Sequence, residues 1–189
     1  RHSTAEYAFF RYTDNATIKN LTVRNVLTAN QSALIRTMKG GTVDNCHADG
    51  STTIKGGLIY ETAVGNYTCN IINSTNKNNL NVTTRMGGIV RELGSSQNNF
   101  TNCQNFGNIT SNTDFVGGIV GHNKDNSTLS ATFYNCGNRG DIITTTNSYN
   151  TLCAGIAGRL NGTISYQYCY NTGTIKGAGG HIAGIFSSG

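Results

Sequence analysis

Proline and tryptophan are absent from this chain, and acidic side chains are scarce: nine Asp and Glu stand against fourteen Lys and Arg, and charged residues make up only 12%. Without proline, chain reversals fall to Gly and Asn, which accept the positive φ of tight turns. No apolar run approaches the ~20 residues that cross a bilayer, so no membrane span is expected in this chain. There is no initiator Met and no signal-peptide core, and the chain reads as a processed product or an excerpt of something longer. The residues behind the net charge of +5 are scattered, with no basic arm and no basic–aromatic cluster. That pattern is generic surface charge, and nucleic acid is not an expected partner. Neither C-x-x-C nor H-E-x-x-H occurs, which removes the zinc-ribbon, redox and metallopeptidase motifs; no cofactor and no metal are expected.

What the chain has in excess is Asn, Thr and Gly. Thr favours strands and Gly and Asn favour turns, so many short strands separated by tight turns predict an all-β protein. The strands repeat. Val116-Gly117-Gly118-Ile119-Val120-Gly121 has close copies at Lys55–Tyr60, Met86–Arg91, Cys153–Gly158 and Gly179–Gly184, and degenerate ones at Tyr7–Arg11 and Ser32–Arg36. Aligned on the second apolar residue, the anchors are Phe10, Ile35, Ile59, Val90, Val120, Ala157 and Ala183, separated by 24 to 37 residues. A short apolar strand returning at that period is a repeat architecture. The expectation is a single β-helix domain over residues 1–189. It has about six to seven coils, starting near residues 8, 33, 57, 88, 118, 155 and 181.

A second motif runs beside the first. Cys103-Gln104-Asn105-Phe106-Gly107-Asn108-Ile109 becomes Cys136–Ile142 and then Cys169–Ile175, so C-x-N-x-G-x-I returns twice at 33 residues. Cys and Ile are expected to face inward. Asn and Gly would form a corner, where Gly supplies φ > 0 and stacked asparagines make a ladder. The polar stretch Asn73–Asn79 reads as an exposed loop between coils. The Gly-Gly pairs read as strand bends rather than phosphate loops.

Together these motifs resemble the GLUG-motif repeats of extracellular surface proteins, over most of the chain and most closely from Gly87 to Gly184. The resemblance implies a right-handed parallel β-helix of adhesin-like proteins, also found beside the metallopeptidase domains of immunoglobulin-cleaving proteases. It implies a scaffold and carries over no catalytic residue.

Compartment is read from sequons. Asn-x-Ser/Thr occurs at Asn15, Asn20, Asn30, Asn66, Asn73, Asn81, Asn99, Asn108, Asn126 and Asn161, about twice what an Asn- and Thr-rich chain makes by accident. In Asn20-Leu21-Thr22 and Asn108-Ile109-Thr110 the apolar centre should point inward and turn Asn outward. An extracellular or cell-surface glycoprotein with covalent N-glycans is expected. Five of the six cysteines, Cys46, Cys69, Cys103, Cys136 and Cys169, read as equivalent positions in successive coils, with Cys153 in the strand entering Gly155. They form either a column of buried thiols or inter-rung disulfides, since rungs about 4.8 Å apart fall inside the disulfide window.

Catalytic signals are sparse. His2, His47, His122 and His181 lie far apart, His181 in place of a repeat Gly, and Asp44 and Asp49 flank Cys46 without a counterpart in another coil. Calcium-dependent lyases and glycosidases need clustered carboxylates, so an enzyme is not expected. The leading expectation is a structural subunit of a glycosylated extracellular filament or surface appendage. The coil motif is running at both ends, so either parts of a larger surface protein cover the strand edges or copies stack head to tail, adding roughly 30 Å of rod per chain. The alternative is an adhesin stalk or carbohydrate-binding surface module, with a polysaccharide-active enzyme ranked third.

Overall fold

The computed structural model describes residues 8–24, 32–50, 57–124 and 129–186. Every element is a short strand and every strand pairing is parallel. One coil shows the scheme: Val90–Leu93 lies in sheet A, Ser95–Thr101 in sheet B, Gln104–Asn105 in sheet C, Ile109–Ser111 in sheet D and Phe115–Gly117 in sheet E. Val120–Asn123 then re-enters sheet A beside Val90–Leu93. The result is a β-solenoid. Sheets D and E hold four strands each, so the complete coil is built about four times, while sheets A, B and C each hold six strands. The six to seven expected coils are therefore not all present as complete coils among the described residues.

Alternation sets which side chains enter the stack. In Leu129–Tyr134, Leu129, Ala131 and Phe133 are buried and Ser130, Thr132 and Tyr134 exposed, the period of two of a strand with one wet face. In-register pairing then stacks like on like: Ile18, Val43, Ile71, Phe100, Phe133 and Tyr166 form one column. Its rings lie 4.8 Å and 5.0 Å apart, nearly coplanar at 6° and 10°, the rung spacing of a parallel sheet.

Six of the seven anchors lie in one register, Phe10↔Ile35↔Ile59↔Val90↔Val120↔Ala157. The seventh does not: Ala157 bridges to Phe186, and Ala183 pairs with Ala154. The final copy is therefore Ile182-Ala183-Gly184-Ile185-Phe186, its anchor displaced by three residues, and His181, just before it, sits in the column of Phe115 and Leu152 rather than on a repeat Gly. The Gly-Gly copy itself is also not one strand. Phe115–Gly117 and Val120–Asn123 belong to sheets E and A, and Gly118-Ile119 is the bend between them.

The expected asparagine ladder is present. Asn76, Asn105, Asn138 and Asn171 lie in register in sheet C, and the Nδ2 of each of the first three donates to the Oδ1 of the next at 2.8 Å. Each Nδ2 also donates to a carbonyl two residues on, at Asn78, Gly107, Gly140 and Gly173. The corner glycines do a different job from the one expected: their φ values are not positive. At Gly107, Gly140 and Gly173 an added Cβ would overlap the carbonyl oxygen of the rung below. Positive φ is carried instead by a second asparagine column between sheets B and C, Asn20, Asn45, Asn73, Asn102 and Asn135, with φ of 50–57°. Asn tolerates this region better than other residues with a Cβ.

That column also corrects the reading of Asn73–Asn79. The stretch contains the corner and a sheet C strand, Thr75–Asn76, and buries Ser74, Asn76 and Asn78. Register then moves Cys69 out of the cysteine column, since it pairs with Gly41 and Asn98. Ser74, directly after the corner Asn73, occupies the slot taken by Cys46, Cys103, Cys136 and Cys169.

Candidate functional site

The bend between sheets E and A folds toward the lumen, so the outer faces of these two sheets look at each other across a groove parallel to the solenoid axis. Glycines make the closeness possible. A Cβ on Gly121 would strike the Met86 backbone, and one on Gly158 the Val116 backbone. One wall is the outer column of sheet E, Phe115, Leu152 and His181, with Arg85 one residue before the strand Met86–Gly87. The other is the outer column of sheet A, Glu61, Glu92, His122 and Arg159. Contact across the groove is direct: the guanidiniums of Arg85 and Arg159 lie 4.5 Å and 5.0 Å from the Phe115 ring centroid, and the His122 ring lies 6.1 Å away. Such pairs add cation–π attraction to the hydrophobic cover of the ring.

Charge is arranged in two parts. Toward the N terminus, Tyr60 is held between Arg36 and Arg91, each guanidinium 4.4 Å from the ring centroid. Glu61 accepts from Arg36 at 2.6 Å and Thr37 at 2.9 Å and lies 3.2 Å from Lys124. Burial alone would raise the Glu61 pKa, but the hydrogen bonds from Thr37 and Arg36, with the charges of Lys124 and Arg36, hold it below the ordinary carboxylate value. Glu92 pairs with Arg91 at 2.8 Å and lies 3.6 Å from the His122 Nε2. Toward the C terminus the groove opens into a cleft of about 480 Å³ bounded by Asp114, Phe115, Leu152, Arg159 and His181, with Tyr149 and Asn150 from the connection between sheets D and E. This falls within the usual size range of ligand pockets. Asp114 is anchored by Arg85 at 3.2 Å and 3.3 Å, whereas the Tyr149 ring is 94% exposed.

The residues singled out from sequence fall elsewhere. Among the sequons, Asn30 and Asn126 lie outside the described residues; Asn15, Asn20, Asn66, Asn73, Asn81, Asn108 and Asn161 are exposed and Asn99 is half-buried. Ile109 is buried beside the exposed Asn108, as the strand period requires, and Leu21 beside Asn20 is half-buried. Asn73 and Asn99 spend their Nδ2 groups on Asp44 and Asn70. All six cysteines are free thiols, five of them buried and Cys169 partly so. The Cys103 thiol beside it and burial hold Cys136 well above the ordinary thiol range, against an opposing pull from Cys169; Cys136 and burial raise Cys169 likewise. Cys69 and Cys153 are raised by burial and bond to Ser95 and Thr144. Thiols so protonated are poor nucleophiles.

His2 lies outside the described residues. His47 sits in sheet C with its ring nitrogens at 2.9 Å from Thr75 and 3.0 Å from Asn45, and Asp44 and Asp49 pair with Lys19 and Arg24. Of the three histidines among the described residues, His122 and His181 reach the groove. Arg85, Phe115, Tyr149 and Arg159 were missed altogether. The one sequence signal pointing to them was the recurrence of Gly at 121 and 158, the outward positions that let sheets E and A close up. Among the described residues no group of three or more His, Cys, Asp or Glu is placed to hold a metal ion, and no helix is long and apolar enough to cross a membrane. Comparison with protein-family models, curated proteins and solved structures finds no match to this chain.

Proposed function

We propose that the chain is a structural, non-catalytic unit of an extracellular, N-glycosylated filament or surface protein, a right-handed solenoid of six to seven coils lengthened by stacking a further coil on its C-terminal face. One observation carries this reading: the interior columns lose their cover there. Ala131, Phe133, Cys136 and Ile142 are buried, while their neighbours one rung on, Ile164, Tyr166, Cys169 and Ile175, are only half-buried. Half-covered apolar columns and open strand edges favour a further rung. The likeness to GLUG repeats and the exposed sequons support the extracellular setting.

Head-to-tail copies would set Ile18 over Tyr166 and Leu21 over Cys169, both apolar matches. At the ladder they would set Val23 over Asn171, because Val23, Ala48 and Asn76 share a register. Val23 offers no acceptor to the Asn171 Nδ2. A buried donor left without a partner costs about 1–3 kcal/mol, so Val23→Asn should lower the concentration for assembly on the order of tenfold. Sedimentation velocity and negative-stain microscopy of the intact glycosylated chain test this. Rods lengthening in steps of roughly 30 Å and enhanced by Val23→Asn are expected. Monomers at every concentration, for both the parent and the variant, would refute it.

A second reading, a ligand-binding surface module, is favoured by the cleft beside Phe115. It does not depend on assembly.

A further inference from the structure

We propose that Cys136 and Cys169 form a disulfide that clasps the last rung of sheet C to the one before it, a covalent modification site near the C-terminal face of the solenoid. Register limits which thiols can meet. Cys46 and Cys103 each face Ser74 in a neighbouring rung, Cys69 lies between Gly41 and Asn98, and Cys153 lies between Val116 and Ile182. Among the described residues only Cys103, Cys136 and Cys169 have a cysteine one rung away, each directly before a paired strand of sheet C. Rungs about 4.8 Å apart place such Cα atoms inside the disulfide window of roughly 4.4–6.8 Å.

Two pairs share Cys136, and access and packing choose between them. Cys103 and Cys136 are fully buried, whereas Cys169 is half-buried and precedes the last described strand of sheet C. A disulfide draws its Cβ atoms to about 3.8 Å, closer than the rung spacing. The Cys103 and Cys136 rungs are each held on both sides by ladder amides, but the Cys169 rung is held on one side only, through Asn171, and can yield. The chemistry is thiol–disulfide exchange with a small disulfide such as glutathione disulfide. The Cys169 thiolate attacks it and expels one glutathione thiol; the Cys136 thiolate then attacks Cys169 Sγ and expels the second. One S–S bond breaks in the oxidant and one forms in the protein, which gives up two electrons and two protons. Both thiols titrate above the ordinary thiol range, so the exchange is slow at neutral pH and quickens as pH rises.

The clasp is independent of coil stacking. The extracellular setting of the proposed function would supply the oxidant, but the test supplies it directly, so a missing cross-link overturns the clasp and leaves the assembly reading to its own sedimentation test. The reduced intact chain is incubated with glutathione disulfide, alkylated, and mapped by non-reducing peptide mass spectrometry. A Cys136–Cys169 peptide pair is expected, with the other four cysteines alkylated only after denaturation. Cys169→Ser should abolish the cross-link and Cys103→Ser should leave it; both should fold, because Ser74 already fills this slot with the same bond to the carbonyl two residues back. Hydrogen exchange at the Tyr170 and Thr172 amides, which donate to Cys136 and Asn138, should slow about tenfold in the oxidised chain. No cross-link, Cys103–Cys136 as the main pair, or unchanged exchange at these two amides would each overturn the assignment.

Discussion

Replacing Asn138 by Ala tests whether the interior amide ladder holds the coils together. Asn138 is fully buried. It accepts from Asn105 at 2.8 Å and donates to the Gly140 carbonyl at 2.7 Å and to Asn171 Oδ1 at 2.8 Å. Truncation orphans three partners. Asn171 is half-buried and can turn to water, but Asn105 and Gly140 are enclosed, so two groups carry the full desolvation penalty of about 1–3 kcal/mol each. The expected loss is about 4 kcal/mol, or roughly 8–16 °C in Tm for a chain of this length. The outer column supplies a matched control. Asn102 makes the same two cross-rung amide bonds, to Asn73 and from Asn135 at 2.9 Å, but at the solvent face. Its φ of 53° is one that Gly adopts freely. Asn102→Gly should cost roughly 1 kcal/mol. Thermal and urea unfolding followed by far-ultraviolet circular dichroism measures both. Equal losses, or a larger loss for Asn102→Gly, would refute the argument that burial rather than repetition gives the ladder its strength.

Three further outcomes follow from the same geometry. Gly118→Ala would drive a Cβ into the Gly155 carbonyl oxygen as well as Asn138; it should destabilise by about 1–3 kcal/mol or more, and Asn138→Gly should not rescue it, which paired unfolding curves would show. Acid should lower the stability of the chain in two stages. Burial and the Lys77 charge, partly offset by Asp49, set His47 below its ordinary 6.5, and Glu61 lies below its ordinary 4.5; both groups bind fewer protons folded than unfolded, so stability is full above about 6.5, declines as pH falls through the His47 value, and declines again through that of Glu61. His47→Gln should remove the upper step in urea midpoints taken from pH 4 to 8. Expressed through a secretory pathway, Asn81 and Asn161 should carry glycans and Asn73 should not, because its Nδ2 is committed to Asp44; glycopeptide mapping reads this directly.

Much of the solenoid was legible because register demands like residues at like positions, and the places where reading failed have physical causes. Gly179-Gly180 imitates Gly117-Gly118, but what aligns the last rung is Ala183-Gly184-Ile185 under Ala154-Gly155-Ile156, whose small residues fit the bend. Cys69 was taken for a column member because the true occupant is a serine. Ser74 Oγ bonds the carbonyl two residues back, Ile72, as the Cys103 and Cys136 thiols bond those of Thr101 and Tyr134. A hydroxyl and a thiol of similar shape fill one slot with the same bond, and a search for cysteine cannot find it. The positive-φ role was assigned to Gly although Asn carries it, since either residue accepts that region. The groove was nearly invisible. Its lining comes from single residues in separate coils and two sheets, and neither spacing nor periodicity links Arg85, Phe115 and Arg159.

The groove nonetheless has its origin in the two legible motifs. Each bend glycine touches a ladder asparagine across the lumen: an added Cβ on Gly88, Gly118 or Gly155 would meet Asn105, Asn138 or Asn171. The strand that carries Asn and the bend that carries Gly-Gly therefore face one another inside these three coils, and a larger residue on either side would push the walls apart. Pulling the bend inward is the same motion that turns the outer faces of sheets A and E toward each other. Groove depth is thus determined from within by amide and glycine, repeated over the four rungs from Asn76 to Asn171 where the amide column is hydrogen-bonded. The lining is under no such constraint. Along the column that holds asparagine four times inside, the facing outer column reads Arg85, Phe115, Leu152 and His181. A uniform interior thus supports an exterior that varies from rung to rung, and cohesion runs along the solenoid axis.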